Sequence, residues 1–461
     1  MNELNALKEK ETMLSRLTGG LANWALRWIP DAMVFALALT VIVFLAAWGL
    51  TSHGPVQLVD DWVKGFWALL TFAMQMSLLM ITGFTVADSK YVKRGLIKLV
   101  DFPKTKTQVI VFFSLFIGIL YYLHWGVGMM AAIIMGREFA VRKRGLGLHY
   151  PFIAALALCS GIVVANGPSM AAQLLMATPG HFMEKAAGII PLSQSTFDIK
   201  LLITNGLLYV LTPFLLVAIA PRKEHAVEID DATAAAFIAP PEKPSDKRIL
   251  TPAECWDRSW VLPLLIALAG LFWIGKTFYT KGAAALDLNT LNFTFLILGL
   301  LLHGSTKSYV ESVQRGTMTV YGVIIQFPLY AGIFGMISFS GLAQLIANFF
   351  ISISTHGTYT WVIFIYTGFV DFFVPSGGSK FVIEAPYILP AAKALGVSAG
   401  DTINAYTAGS LWVNMVQPFW ALPILGAFKL KFQDIAPFCL IIATYYAIAL
   451  SICLLALPKL F

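Results

Sequence analysis

The chain has 461 residues, 58% of them hydrophobic and 12% charged, with a formal net charge of +7 and a mean hydropathy of +0.75. Soluble domains carry roughly a quarter charged residues, so this composition excludes a soluble globular protein and predicts an integral membrane protein. The basic residues sit in short loops between apolar runs, where the positive-inside rule places them, and call for no nucleic-acid partner.

Residues 1–30 are polar and carry both acids and bases without the apolar core of a signal peptide, which reads as a cytoplasmic amphipathic helix. Apolar runs follow at about 31–52, 64–87, 107–141, 151–186, 198–220, 259–279, 286–303, 319–353, 358–396, 402–428 and 433–458. Their helix length separates them from the ten-residue alternating strands of a barrel, so the fold class is an all-α polytopic membrane protein with about 11 transmembrane helices. The runs 107–141 and 319–353 are too long for one pass; interrupted at His124-Trp125-Gly126-Val127-Gly128 and at Ser338-Phe339-Ser340-Gly341, each reads as two helices joined tightly. Cys159, Cys255, Cys439 and Cys453 form no C-x-x-C pair and read as packing residues.

Two stretches break where a break facing lipid would leave backbone groups unsatisfied. One runs Val370 to Leu395 and breaks at Pro375-Ser376-Gly377-Gly378-Ser379; the other breaks at Asn166-Gly167-Pro168-Ser169, about 210 residues earlier. Read as corresponding re-entrant hairpins, 151–186 and 358–396, they divide the chain into two repeats, 31–220 and 259–428, followed by a C-terminal transmembrane helix in 429–461. Five crossings per half make the repeats inverted. With the N-terminus cytoplasmic, the segment 221–258, where acids outnumber bases, falls outside as a flexible linker.

Helices starting after Ser169 and after Ser379 would aim free N–H groups and dipoles at the turns, making an anion pocket suited to a carboxylate. Asn166, Gly167, Ser169, Ser376, Gly377, Gly378, Ser379, Lys380, Glu384, Asn414 and Gln417 are therefore the candidate substrate-binding residues. Asp371, Glu384, Asn166 and Ser376 are candidates for holding a coupling ion, Na+ or H+; no metal or other cofactor is called for. Lys380 and Glu384, spaced i,i+4, are either a self-neutralising pair or contacts for a more polar or zwitterionic acid. Asn205 and Thr212 are candidate pocket residues, and the lone His124 and His181 read as structural. A membrane-embedded enzyme is the alternative of another class, but no H-E-x-x-H is present.

The strings Ala177-Thr178-Pro179-Gly180-His181-Phe182, Phe373-Val374-Pro375-Ser376-Gly377-Gly378 and Gln417-Pro418-Phe419-Trp420-Ala421-Leu422-Pro423 resemble the short-chain fatty acid transporters of the AtoE type, over nearly the whole chain. The resemblance implies a secondary transporter of small carboxylates such as acetoacetate or butyrate in the bacterial inner membrane. It further implies a homodimer in which a hairpin-bearing domain slides against a scaffold as an elevator. Where the family continues its P-S-G-G tip with Gly-Gln-Trp, this chain has Ser379-Lys380-Phe381.

Overall fold

The structure, a computed structural model, describes residues 32–237, 251–318 and 320–457. The helix expected within residues 1–30 lies outside the described residues. The first half holds α1 (Ala32–Leu50), α2 (Pro55–Trp67), α3 (Leu70–Asp88), α4 (Lys90–Leu99), α5 (Lys106–Leu123), α6 (Trp125–Arg142), α7 (Tyr150–Ile162), α8 (Ala171–Ala177), the single turn α9 (Glu184–Ala187) and α10 (Ile199–Ile219). Among the described residues between the halves lie α11 (Asp231–Phe237), α12 (Pro252–Arg258) and α13 (Val261–Lys281). The second half holds α14 (Leu288–His303), α15 (Thr306–Thr317), α16 (Tyr321–Phe339), α17 (Leu342–Ile353), α18 (Tyr359–Phe373), α19 (Ser379–Ala394), α20 (Ala399–Asn414), α21 (Pro418–Phe428) and α22 (Phe432–Ala456). No strand occurs among the described residues. Among the described residues seven helices are long and apolar enough to cross a membrane, or eight if α20 and α21, bent by 48°, form one span. The protein is thus an all-helical, multi-pass membrane protein.

The order of elements recurs: α1–α8 and α10 correspond one to one with α14–α22, displaced by about 230–260 residues. Packing recurs with it. α1 and α2 lie on α16 as α14 and α15 lie on α3, and α3 and α4 lie on α6 as α16 and α17 lie on α19. This corrects the pairing expected from sequence. The counterpart of the break at 374–378 is the one at His124, and the counterpart of Asn166-Gly-Pro-Ser is the break between α20 and α21. His124 hides the first because it makes its turn without proline: the residue is extended (φ −155°, ψ 107°) and its own ring accepts the Val127 N–H.

Two ends of the bundle can be told apart by their contacts. At the basic end, Arg142 approaches Asp101 (3.6 Å), the Tyr150 hydroxyl donates to the Phe428 carbonyl and Lys106 donates to the Pro221 carbonyl. At the opposite end, Lys200 pairs with Asp401 (2.5 Å), the Leu288 N–H donates to Thr178 Oγ1 (3.0 Å) and the His356 ring meets the Leu395 carbonyl (3.1 Å). α5 and α6 therefore leave the basic end, meet inside the bundle at His124, which is 1% exposed, and return. The expected hairpin 151–186 is instead a traverse, α7 and α8, starting at the basic end beside Phe428 and finishing at the opposite end beside Leu288. The hairpin 359–394 enters from that opposite end, and α20 and α21 run back to the basic end.

The linker is also corrected. Its described part, to Phe237, packs on the basic loop instead of lying across from it: Arg144 pairs with Asp231 (2.7 Å), the Glu228 carboxylate accepts from Gly145 and Gly147 N–H groups (2.7–3.0 Å), and Arg137 stacks over Phe237 (4.0 Å). Its acids neutralise the neighbouring bases.

Close helix approach comes from glycine. A Cβ on Gly65 would sit 2.6 Å from the Gly335 Cα, and one on Gly335 would sit 2.3 Å from the Asp61 carbonyl oxygen, so α2 and α16 touch backbone to backbone. In lipid, where apolar burial between helices gains little, such contact is the main source of packing energy.

Candidate functional site

The two hairpin tips and the two breaks meet in the middle of the bundle. The Trp125 N–H, first in α6, donates to Ser169 Oγ (3.0 Å), and Gly167 lies so close to Tyr122 that a Cβ would be 2.1 Å from its carbonyl oxygen. Gly378, just before α19, faces Ala171, the first residue of α8, with Phe72 and Phe327 alongside; a Cβ on Gly378 would lie 3.4–3.5 Å from all three side chains. Trp125 meets Trp420 of α21 edge-on, with 6.0 Å between ring centroids, and Gln417 Nε2 donates to the Phe372 carbonyl (3.4 Å). Four helix N-termini, those of α6, α8, α19 and α21, thus converge.

Each N-terminus leaves N–H groups without intrahelical partners and carries the positive end of its dipole. Those of α8, α19 and α21 have no side-chain cap. By contrast, Ser89, Thr105, Asp198, Asp287, Ser305 and Ser398 cap helices that start near the bundle's ends. Ser379 Oγ, Asn414 Oδ1, Gln417 Oε1 and Trp420 Nε1 are buried here without a hydrogen-bond partner. The free N–H groups, the Ser379 hydroxyl and Trp420 Nε1 can therefore donate to an anion here, flanked by aromatic rings, while the Asn414 and Gln417 oxygens are left to accept.

A family comparison decides the assignment. The family model "Short chain fatty acid transporter" matches residues 13–457. The chain belongs to the short-chain fatty acid transporter family. Relatives from Haemophilus influenzae and Escherichia coli, both assigned as short-chain fatty acid transporters, are 35% and 34% identical over 439 and 432 residues, covering 93% of this chain and 96% of each relative. The family is one of transporters and not of enzymes. The crystal structure of the YdaH transporter of Alcanivorax borkumensis is similar at 14% identity and a TM-score of 0.48, covering 92% of this chain and 98% of that one, a likeness too distant to add to the assignment.

Within this transporter the expected site residues divide into three groups. Gly167, Ser169, Gly378 and Ser379 lie where tips and breaks touch, with Asn414 and Gln417 beside them. Ser376 Oγ accepts the Ser379 N–H (3.4 Å) and the Gly377 carbonyl accepts the Tyr406 hydroxyl (3.0 Å), so both shape the turn. Asn166 is occupied: its Nδ2 donates to the Asn404 carbonyl (3.1 Å), and its Oδ1 accepts from Gln173 Nε2 (2.7 Å). Gln173 also donates to Asn404 Oδ1 (3.2 Å) and accepts from Thr407 (3.1 Å), while Asn205 donates to the Asn166 carbonyl (2.9 Å). That satisfied network clamps the break of the first half to α20 and α10.

Lys380, Glu384 and Asp371 form the third group, enclosed between the arms α18 and α19, all 0% exposed. Lys380 and Glu384 do reach one another (3.9 Å), but Lys380 is spent on Thr367 and Asp371 and not aimed at the tip. Sequence reasoning missed Gln173, Thr367, Asn404 and Tyr406; Gln173, following the break by seven residues, carried the one available signal, a lone amide in an apolar helix. His181 is structural, its ring accepting the Met183 N–H (3.2 Å) and meeting the Gly188 carbonyl (3.1 Å).

Proposed function

We propose that this protein is a secondary active carrier of short-chain carboxylates, such as butyrate and acetoacetate, in the bacterial inner membrane. The observation that carries the reading is the family match from residue 13 to residue 457. The convergence of four helix N-termini supports it by supplying an anion site without a fixed cation, and Phe72, Phe327, Trp125 and Trp420 supply apolar walls for a short alkyl chain. A carboxylate held by neutral donors can also be released, which a carrier requires.

In this reading the chain crosses the membrane nine times and two hairpins re-enter it. Four crossings per half return each half to the side where it began, and α13 adds the crossing that inverts the second half relative to the first. The basic end, with Lys90, Lys93, Arg94, Lys98, Lys104, Arg142, Lys143 and Arg144, is cytoplasmic by the positive-inside rule, and so is the N-terminus. The hairpins, with the broken spans α7–α8 and α20–α21, form the moving part of an elevator; α1–α3 and α14–α16 form the scaffold of a homodimer. A cation gradient, Na+ or H+, drives uptake. A binding experiment tests the site: butyrate and acetoacetate, but not butylamine, are expected to raise the melting temperature of the detergent-purified protein, and equal stabilisation by the amine would reject an anion site.

A further inference from the structure

The cluster inside the second hairpin has an imbalance of charge. Lys380 Nζ donates to the Thr367 carbonyl (2.9 Å) and to Thr367 Oγ1 (2.5 Å), and that hydroxyl donates its one hydrogen to Glu384 Oε2 (3.0 Å). The hydroxyl must then accept from the lysine, which makes Lys380 a donor and Glu384 Oε2 an acceptor. The ammonium also lies 3.2 Å from Asp371 Oδ1 and 4.5 Å from the centre of the Tyr406 ring. Asp371 is enclosed with only that ammonium and the Ser410 hydroxyl facing it, and Oε1 of Glu384 is buried without a hydrogen-bond partner.

Among the described residues nothing nearby supplies a second cation. The other titratable groups turned toward Glu384 are the tyrosines Tyr359, Tyr366, Tyr387 and Tyr406. α16 and α17, packed on α19, carry no charged residue. On α20 and α22 the acids lie elsewhere: Asp401 pairs with Lys200 and Asp434 accepts the Lys431 N–H at the other end of the bundle. Two ionised carboxylates and one ammonium would leave a net negative charge buried, with Glu384 Oε1 lacking a hydrogen-bond partner, an arrangement that a low-dielectric interior strongly disfavours.

We propose that the Asp371–Glu384 pair carries one bound proton between its two members beside the Lys380 ammonium that bridges arm α18 to arm α19, and that this pair is the proton site through which the carrier couples to a pH gradient. The coupling clause rests on the carrier reading above; the bound proton does not. A proton fits where Na+ does not, because the ammonium already occupies the space between the carboxylates, whereas Na+ would need that space and a shell of oxygens.

Difference infrared spectroscopy on the full-length protein, without substrate, tests this. The wild type should show the C=O stretch of a buried protonated carboxyl at neutral pH, and Asp371→Asn and Glu384→Gln should each abolish it, because the one remaining acid then ionises against Lys380. Absence of the band in the wild type, its persistence in both variants, or its removal by Na+ at constant pH would overturn the proposal. In proteoliposomes, carboxylate uptake by the wild type should respond to an imposed pH gradient; uptake that follows only a Na+ gradient would overturn the coupling role. A wild-type band without any carboxylate transport would instead overturn the carrier reading alone.

Discussion

At the scale of single residues, Lys380 shows how sequence spacing and surroundings carry different information. Its i,i+4 relation to Glu384 is plain in the sequence and the two side chains do approach, at 3.9 Å. Whether they face a vestibule or the inside of a hairpin depends on Thr367 and Tyr406, which fold onto them from 13 residues and 26 residues away along the chain. The enclosure makes a prediction. Lys380→Met leaves two buried carboxyls without their cation and should cost about 3–5 kcal/mol, read as a loss of folded protein by fluorescence-detected gel filtration. Adding Glu384→Gln should restore part of the yield, and no rescue would mean that the lysine acts through packing. Asn166 gives the complementary case: its polarity was legible, but its partners Gln173 and Asn404 lie 7 and 238 residues away. Gln173→Leu should strand the Asn166 and Asn404 oxygens and the Thr407 hydroxyl. The expected cost is about 1–3 kcal/mol per unsatisfied group, seen as a lowered melting temperature; an unchanged one would show the network to be dispensable.

At the scale of elements, the apolar runs and their breaks were legible because helix length and Gly/Pro/Ser composition are local properties. Which break makes a hairpin was not. Both Asn166-Gly167-Pro168-Ser169 and Pro375-Ser376-Gly377-Gly378 look like tips, yet the first interrupts a traverse and the second ends a hairpin. The discriminating fact is where the far ends lie, and that is fixed by contacts such as Thr178 with Leu288 and His356 with Leu395. Glycine contacts make the packing testable. Gly335→Ala would place a methyl 2.3 Å from the Asp61 carbonyl oxygen and should force α2 from α16, whereas Gly49→Ala, with nothing within 4 Å of its Cβ position, should be neutral. Equal thermal stability of the two variants would contradict the close approach.

For the whole molecule, composition sufficed for an all-helical membrane protein, and two halves could be seen from their breaks. The register of the repeat depended on which elements pack alike, as α1 and α2 on α16 and α14 and α15 on α3. Cys255 offers a native probe of the outcome, being exposed while Cys159 and Cys439 are buried. Its helix, α12, packs on α15, whose Arg315 pairs with Asp88 beside the basic Lys93. An impermeant maleimide should therefore label Cys255 in inside-out vesicles and not in right-side-out cells; the reverse would invert the topology.

The central claim, that a short carboxylate crosses at the meeting point of the tips and breaks, is tested most directly by solute counterflow in proteoliposomes. Vesicles preloaded with unlabelled butyrate or acetoacetate should transiently accumulate the labelled acid, and Gly378→Leu, which fills the space between Ala171, Phe72 and Phe327, should abolish the exchange while the protein remains folded. Absence of counterflow with any short-chain carboxylate, or undiminished exchange in a folded Gly378→Leu variant, would contradict the account.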